Sequence, residues 1–201
     1  MRILIFDTET SGIPRDHLSA TDPQQARVVQ LAAAMFHDRR EVASIDLVVN
    51  NGIEIHEEAS KIHGITTEMA TEFGIAPQGA GGIFWRLAAK SDLLVAHNVA
   101  FDLRMLGLMS QQAGLADLPK LLAQKPARCT CEAAAPIVNL PPTERMIAAG
   151  FNKPKAPKLE ECVRHFFGED LVGAHSAATD VLACARVYWK LDELGAWKAA
   201  A

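Results

Sequence analysis

The sequence ILIFDTETSG occupies residues 3–12. Ile3, Leu4, Ile5 and Phe6 form an unbroken apolar run, the pattern of a strand buried on both faces. Residues 2–7 therefore read as a strand in the middle of a sheet. The run ends in Asp7, Thr8 and Glu9. Residues two apart on a strand point to the same face, so Asp7 and Glu9 aim at one spot if the chain stays extended. Two carboxylates held that close repel unless a cation lies between them or one carries a proton. A polar turn built from Asp, Thr, Ser and Gly is the other reading of these residues.

Working outward, VVQLAAAMF (28–36) and ASIDLVVN (43–50) read as two further strands. Three strands this close in sequence predict an antiparallel meander. Residues 14–27, polar with two prolines, read as a loop. A short helix is expected over 66–72, then a glycine-rich loop over 76–82. That loop lacks the Gly-Lys-Ser/Thr ending of a phosphate-binding loop, so it has no nucleotide role. IFWRLAAK (83–90) reads as helical and LLVAH (93–97) as a short strand. Residues 100–113 form a helix with Phe101, Met105 and Leu108 on one core-facing stripe. ARCTC (127–131) reads as a strand, and residues 140–158 as a mobile loop with four prolines and a basic patch at Lys153, Lys155 and Lys158. LEECVRHFFG (159–168) is a helix that Gly168 stops. A last helix runs from near His175 to about Leu194. A meander followed by alternating helices and strands predicts an α/β fold, a mixed sheet with helices on its faces.

The bulk numbers agree with this. The chain has 201 residues, 49% of them hydrophobic, which suits a single domain over 1–201 with a full core. A net charge of −4 excludes a protein that coats long duplex DNA through a basic excess. A partner held by metal ions in a local pocket remains allowed. No apolar run approaches membrane-spanning length, and the start MRILIFD lacks the pattern of a signal peptide, so the expected compartment is the cytoplasm. Four cysteines stand at 129, 131, 162 and 184. C-x-C and C-x-x-H depart from the paired spacing of structural zinc sites, and free buried thiols are expected instead.

Two further acidic clusters follow. In AHNVAFD (96–102), a strand ends near His97 and Asp102 falls in the first turn of the next helix. A first-turn carboxylate is also favoured by the helix dipole alone. In GAHSAATD (173–180), His175 and Asp180 open the last helix. A five-residue step turns about 500°, some 140° away from eclipsed. The two side chains therefore converge only if His175 lies in the loop before the helix, which Gly173 permits.

These three motifs, in this order, resemble the DEDDh 3′→5′ exonuclease family, which includes the proofreading epsilon subunit of bacterial DNA polymerase III. The family's DTETTG stands here as Asp7-Thr8-Glu9-Thr10-Ser11-Gly12, its HNAxFD as His97-Asn98-Val99-Ala100-Phe101-Asp102, and its H-x4-D as His175 to Asp180. ARVVQLAA (26–33), IHGIT (62–66) and PKLEECVRHFFG (157–168) echo the segments between. The resemblance implies a ribonuclease-H-like fold with a five-stranded mixed sheet.

It also implies a function. Asp7, Glu9, Asp102 and Asp180 would hold two divalent cations, Mg²⁺ or Mn²⁺, for an in-line displacement at phosphorus, with His175 as general base. The opening pair of carboxylates is thereby explained as a cation site. Thr10, Gly12, Ile13, Asn98 and Phe101 would bind the terminal nucleotide, and the loop lysines would contact phosphates. The expected partner is nucleic acid with a free 3′ end, DNA before RNA, since the 2′-OH is read by side chains that the motifs do not place. Trimming of RNA ends is the alternative enzyme, and a binding module without chemistry the alternative class. The epsilon subunit carries a C-terminal extension that binds the polymerase; this chain stops soon after its last helix, so the expectation is a stand-alone or phage-type nuclease. Oligomeric state is left open.

Overall fold

The computed structural model describes residues 1–197. The opening run is β1 (Arg2–Thr10), three residues longer than the apolar pattern, so Asp7, Thr8 and Glu9 are all extended. β2 (Val28–His37) and β3 (Arg40–Val48) complete an antiparallel meander. Asp38 and Arg39 join β2 to β3 with φ of 51° and 63°, the positive pair that a two-residue hairpin requires. The chain continues through α1 (Glu57–His63), α2 (Thr67–Phe73), α3 (Pro77–Lys90), β4 (Leu93–Ala96), α4 (Val99–Ala113), α5 (Asp117–Gln124) and β5 (Ala127–Cys129). It ends with α6 (Thr130–Val138), α7 (Glu144–Ala148), α8 (Leu159–Phe167) and α9 (Ala177–Glu193). β4 pairs parallel with β1, and β5 parallel with β4. The sheet order is β3-β2-β1-β4-β5, an α/β mixed sheet of the ribonuclease-H-like kind.

Alternation along β1 divides the core. Leu4 and Phe6 pack with Leu31, Ala33 and Met35 of β2 against Phe84 of α3 and Met105, Leu106 and Met109 of α4. Ile3 and Ile5 point the other way, onto Val181, Cys184 and Tyr188 of α9. Beyond α9, α6 and α8 close a further apolar layer through Ala134, Cys162, Val163 and Val187. Helices thus cover both faces. All four cysteines are free and buried, Cys184 and Cys162 within these layers.

Several local readings are corrected. Residues 77–82 are the first turns of α3, not a glycine-rich loop: Pro77 opens the helix, and a Cβ at Gly81 would collide with Leu115. The glycines there let the segment joining α4 and α5 sit close. ARCTC is a strand only to Cys129, because Thr130 opens α6, whose interior Pro136 hides the helix from the sequence. Proline removes a helical hydrogen bond, but packing of Ala134 and Val138 outweighs that loss. α1 lies in a polar stretch with no clear period, α5 buries Leu118 and Leu122 in a segment the sequence reading left unassigned, and α7 lies inside the expected loop 140–158.

Gly74 ends α2 at ordinary φ, so its role is spatial. A Cβ there would overlap the carbonyl oxygen of Ala70 and stand 2.9 Å from the backbone nitrogen of Asn50. Both neighbours are main chain and cannot swing aside. Gly74→Ala is expected to destabilise the fold by about 1–3 kcal/mol, the size of an overpacking penalty, measured by urea unfolding.

Candidate active site

β1 and β4 run parallel, so their carboxyl ends open on the same edge of the sheet. Ligands of open α/β sheets bind in the crevice beyond those ends. Asp7 and Glu9 stand at the end of β1, on the face that α9 covers, since they continue the alternation of Ile3 and Ile5. The register of β1 against β2 slips between Glu9 and Thr10, a bulge of the kind that re-aims a strand end.

Asp102 and Asp180 come to this edge from opposite faces. Asn98 takes φ of 72°, turning the chain out of β4 and into α4. That left-handed turn puts Asp102 one helical turn later, 2% exposed, against β1. Its Oδ1 accepts from the Thr8 backbone N–H at 3.0 Å and the Thr8 hydroxyl at 2.8 Å. Asp180 sits in the first turn of α9. His175 lies before that helix with φ of 67°, the loop position that convergence demanded, and its backbone N–H donates to Asp180 Oδ2 at 3.1 Å. One donor atom each from Glu9, His175 and Asp180 lies within 4.8 Å of the others.

The electrostatics follow from this crowding. Burial lifts the Asp7 carboxyl well above its usual range, and the charges of Asp102, Asp180 and Glu9 push it further. Burial, then Asp180, raises Glu9 to about 7. Burial raises Asp102 to about 7 against the opposing hydrogen bonds from Thr8. Asp180 is raised by burial, which the His175 N–H partly offsets. Four carboxyls at one spot cannot all ionise without compensating positive charge. The residues fit a divalent cation on a second count: Asp180 Oδ1 is buried with no hydrogen-bond partner among the described residues. Hard oxygen ligands with one imidazole suit such ions.

The residues expected to bind a nucleotide divide between two grooves. Gly12 and Ile13 line one of about 490 Å³ with Arg15, Gln25 and His56, and Ile13 is 83% exposed at its lip. Thr10 turns its hydroxyl to the Gly12 carbonyl at 2.9 Å. Asn98 lines the second, about 460 Å³, with His97, Pro157, Lys158, His175 and Asp180. Phe101 is half-buried against the core. Of the loop lysines, Lys155 is half-buried in an ion pair with Glu161, a structural tether in place of the expected phosphate contact.

The sequence reading assigned no role to several side chains that hold this edge together. Thr8 anchors Asp102. Gln30, the single polar residue in the buried run VVQLAAAMF, accepts from the Ala177 N–H at 3.1 Å and donates to Asp46 at 2.6 Å, pinning the start of α9 to the sheet. A polar residue amid apolar ones was the available signal. His63, in the quoted IHGIT, is 9% exposed and accepts from the Ile65 N–H at 3.1 Å. His97, in the quoted AHNVAFD, bonds Thr130 and the Pro157 carbonyl, each at 2.9 Å.

Comparison with known proteins adds family and fold. No curated protein matches the sequence. Among solved structures, Escherichia coli exonuclease I in its zinc-bound complex with single-stranded DNA superimposes with a TM-score of 0.72 at 18% identity, over 98% of this chain and 42% of that one. The complex of E. coli exonuclease I with a dT13 oligonucleotide gives 0.72 at 19% identity, over 98% and 43%. Exonuclease I from Methylocaldum szegediense, described as moderately thermophilic, gives 0.68 at 18%, over 96% and 40%. The chain thus spans less than half the length of these structures, and the likeness is one of fold. The family model described as Exonuclease, of the RNase T type, matches residues 4–188. With its three acidic motifs gathered at one sheet edge inside that span, the chain belongs to the DEDDh exonuclease family.

Proposed function

We propose that residues 1–201 act as one 3′→5′ exonuclease unit that releases nucleoside 5′-monophosphates from the 3′ end of single-stranded or frayed DNA. The observation that carries this reading is the meeting of Asp7, Glu9, Asp102 and Asp180 with His175 at the carboxyl edge of the sheet. The four carboxylates would hold divalent cations, Mg²⁺ or Mn²⁺, which in a two-ion arrangement stabilise the attacking and leaving oxygens of a phosphodiester. His175, exposed and outside the helix, takes the proton of the attacking water. Its backbone N–H on Asp180 orients that carboxylate. Thr8 holds Asp102 through one oxygen, which leaves the other for a cation. Ile13 wedges against the terminal base, while Thr10, Gly12, Asn98 and Phe101 approach its sugar. A reducing cytoplasm suits the four free thiols.

Cation binding should depend on pH with a definite sign. Glu9 and Asp102 hold protons up to about 7 in the cation-free fold, against usual values of 4.5 and 3.8. The stability gained from those protons is complete below the usual values and lost as pH rises through about 7. A cation replaces the protons. The rise in melting temperature on adding Mg²⁺ or Mn²⁺ should therefore be small at pH 5 and large at pH 8, read by differential scanning fluorimetry. Equal shifts at both pH values would contradict the site, and Asp7→Asn should abolish most of the shift at pH 8.

The reaction is tested on linear and circular single strands with and without Mg²⁺. Linear DNA should yield mononucleotides carrying a 5′-phosphate, and closed circles should stay intact. Cutting of circles at a similar rate would sink the exonuclease reading, and faster release from RNA of equal length would move the substrate to RNA. His175→Ala should lower kcat by about 10²–10⁴, the usual worth of general-base help, while the cation-induced melting shift persists. A variant that keeps its turnover would remove the base from His175.

A further inference from the structure

Residues 140–158 differ in character from the rest of the chain. They carry Arg145, Lys153, Lys155 and Lys158 against Glu144 alone, four positive charges less one negative, within a protein of net charge −4. They also display two large apolar side chains, Ile147 at 55% and Phe151 at 62% exposure. Phe73 is as exposed, but its helix α2 carries Glu68 and Glu72 and no basic residue. An exposed aromatic among basic residues is the surface that single-stranded nucleic acid uses, because every base has a face to stack and every phosphate a charge to meet.

This excursion is held in place at its base. Leu140 accepts from the Lys155 N–H at 3.0 Å, closing the segment as an isolated bridge. Thr143 caps α7 by accepting from Met146 N–H. Lys155 pairs with Glu161, and the same carboxylate accepts from the Lys158 N–H at 2.7 Å. The last fastening reaches the catalytic edge. The buried Pro157 carbonyl accepts from His97 Nε2 at 2.9 Å and from the Cys131 thiol at 3.3 Å. A carbonyl only accepts, so Nε2 carries the proton and Nδ1 receives the Thr130 hydroxyl at 2.9 Å. His97 thus joins the end of β4, the start of α6 and the foot of the excursion in one buried set of hydrogen bonds. The excursion foot forms one wall of the groove that holds Asn98, His175 and Asp180.

From this arrangement we infer that the 140–158 excursion is a platform for single-stranded nucleic acid, with Phe151 stacking a base and Arg145, Lys153 and Lys158 meeting phosphates, and that His97 is the positioning residue that latches it beside the catalytic groove. The inference rests on the exonuclease reading for what the platform serves. It assigns to this segment a strand held beyond the terminal nucleotide.

The test uses the full chain in EDTA, so that binding is read without cleavage. A fluorescent dT oligonucleotide is titrated and followed by anisotropy. Phe151→Ala should weaken binding about tenfold, the scale of one lost base–aromatic stack. Arg145→Gln with Lys153→Gln should flatten the dependence of log K on log salt by about 1.4, roughly 0.7 per phosphate contact on a single strand. Wild-type affinity in Phe151→Ala, or an unchanged salt slope in the double variant, would overturn the platform. The latch is read by limited trypsin digestion, which cuts after Lys155 and Lys158. His97→Asn, which keeps a partner for Thr130 but cannot reach Pro157, should speed those two cuts about tenfold. His97→Gln, which restores a donor at the Nε2 position, should return them toward the wild-type rate. Equal cutting in His97→Asn and wild type would overturn the latch, and so would failure of glutamine to restore protection. A wild type that binds the oligonucleotide yet degrades no nucleic acid with Mg²⁺ would refute the exonuclease reading and leave the platform standing.

Discussion

The rest of the structure answers to one electrostatic constraint: four carboxyl groups share the end of a central strand. Asp7 feels Asp102, Asp180 and Glu9 at once, while burial strips away the water that would screen them. Like charges at such range in a low-dielectric setting repel by several kcal/mol. A fold driven by its core alone would let these side chains splay into solvent. Here the core forbids it, because Leu4, Ile5 and Phe6 before Asp7 are fully buried and β1 is paired on both sides.

The opposing forces are local and identifiable. Thr8 offers two donors to one oxygen of Asp102, tying α4 to β1. Gln30 fastens the first turn of α9 to β2, which sets the height of Asp180 over the sheet. The His175 N–H meets Oδ2 of Asp180. Each such bond contributes about 1 kcal/mol net, and bonds to charged groups more. They hold the carboxyls together but do not neutralise them, so the cluster can ionise fully only with positive charge beside it. Repulsion among the ionised carboxylates and their raised pKa values are two expressions of the same geometry.

The same economy appears around His97. A histidine between two catalytic-edge elements serves neither as base nor as ligand, since both its ring nitrogens are committed to Thr130 and Pro157. Burial lowers its pKa, so the neutral ring that this bonding pattern needs is the favoured form. His175, in contrast, is exposed and lines the groove beside Asp180. Two histidines in adjacent motifs thus differ in burial and in hydrogen bonding.

Much of this was legible in the residues. The both-faces-apolar run of β1, the period-two placement of Asp7 and Glu9, and the three ordered motifs determined the sheet, the family and the acidic cluster, because strand alternation and helical period are local rules that act within a few residues. The placement of His175 was legible too, since helical geometry allowed it to meet Asp180 only from outside the helix. Other features were decided by contacts distant in sequence. α3 forms through glycines that a propensity reading gives to a loop, because Leu115 must sit against Gly81. α6 tolerates Pro136 because its other face is buried on α8 and α9. Lys155 faces Glu161 in place of a phosphate, and His97 reaches across 60 residues to Pro157. Local sequence encodes which side chains share a face; only the closed tertiary structure sets which distant groups those faces meet, since that depends on packing and hydrogen-bond satisfaction summed over the whole fold.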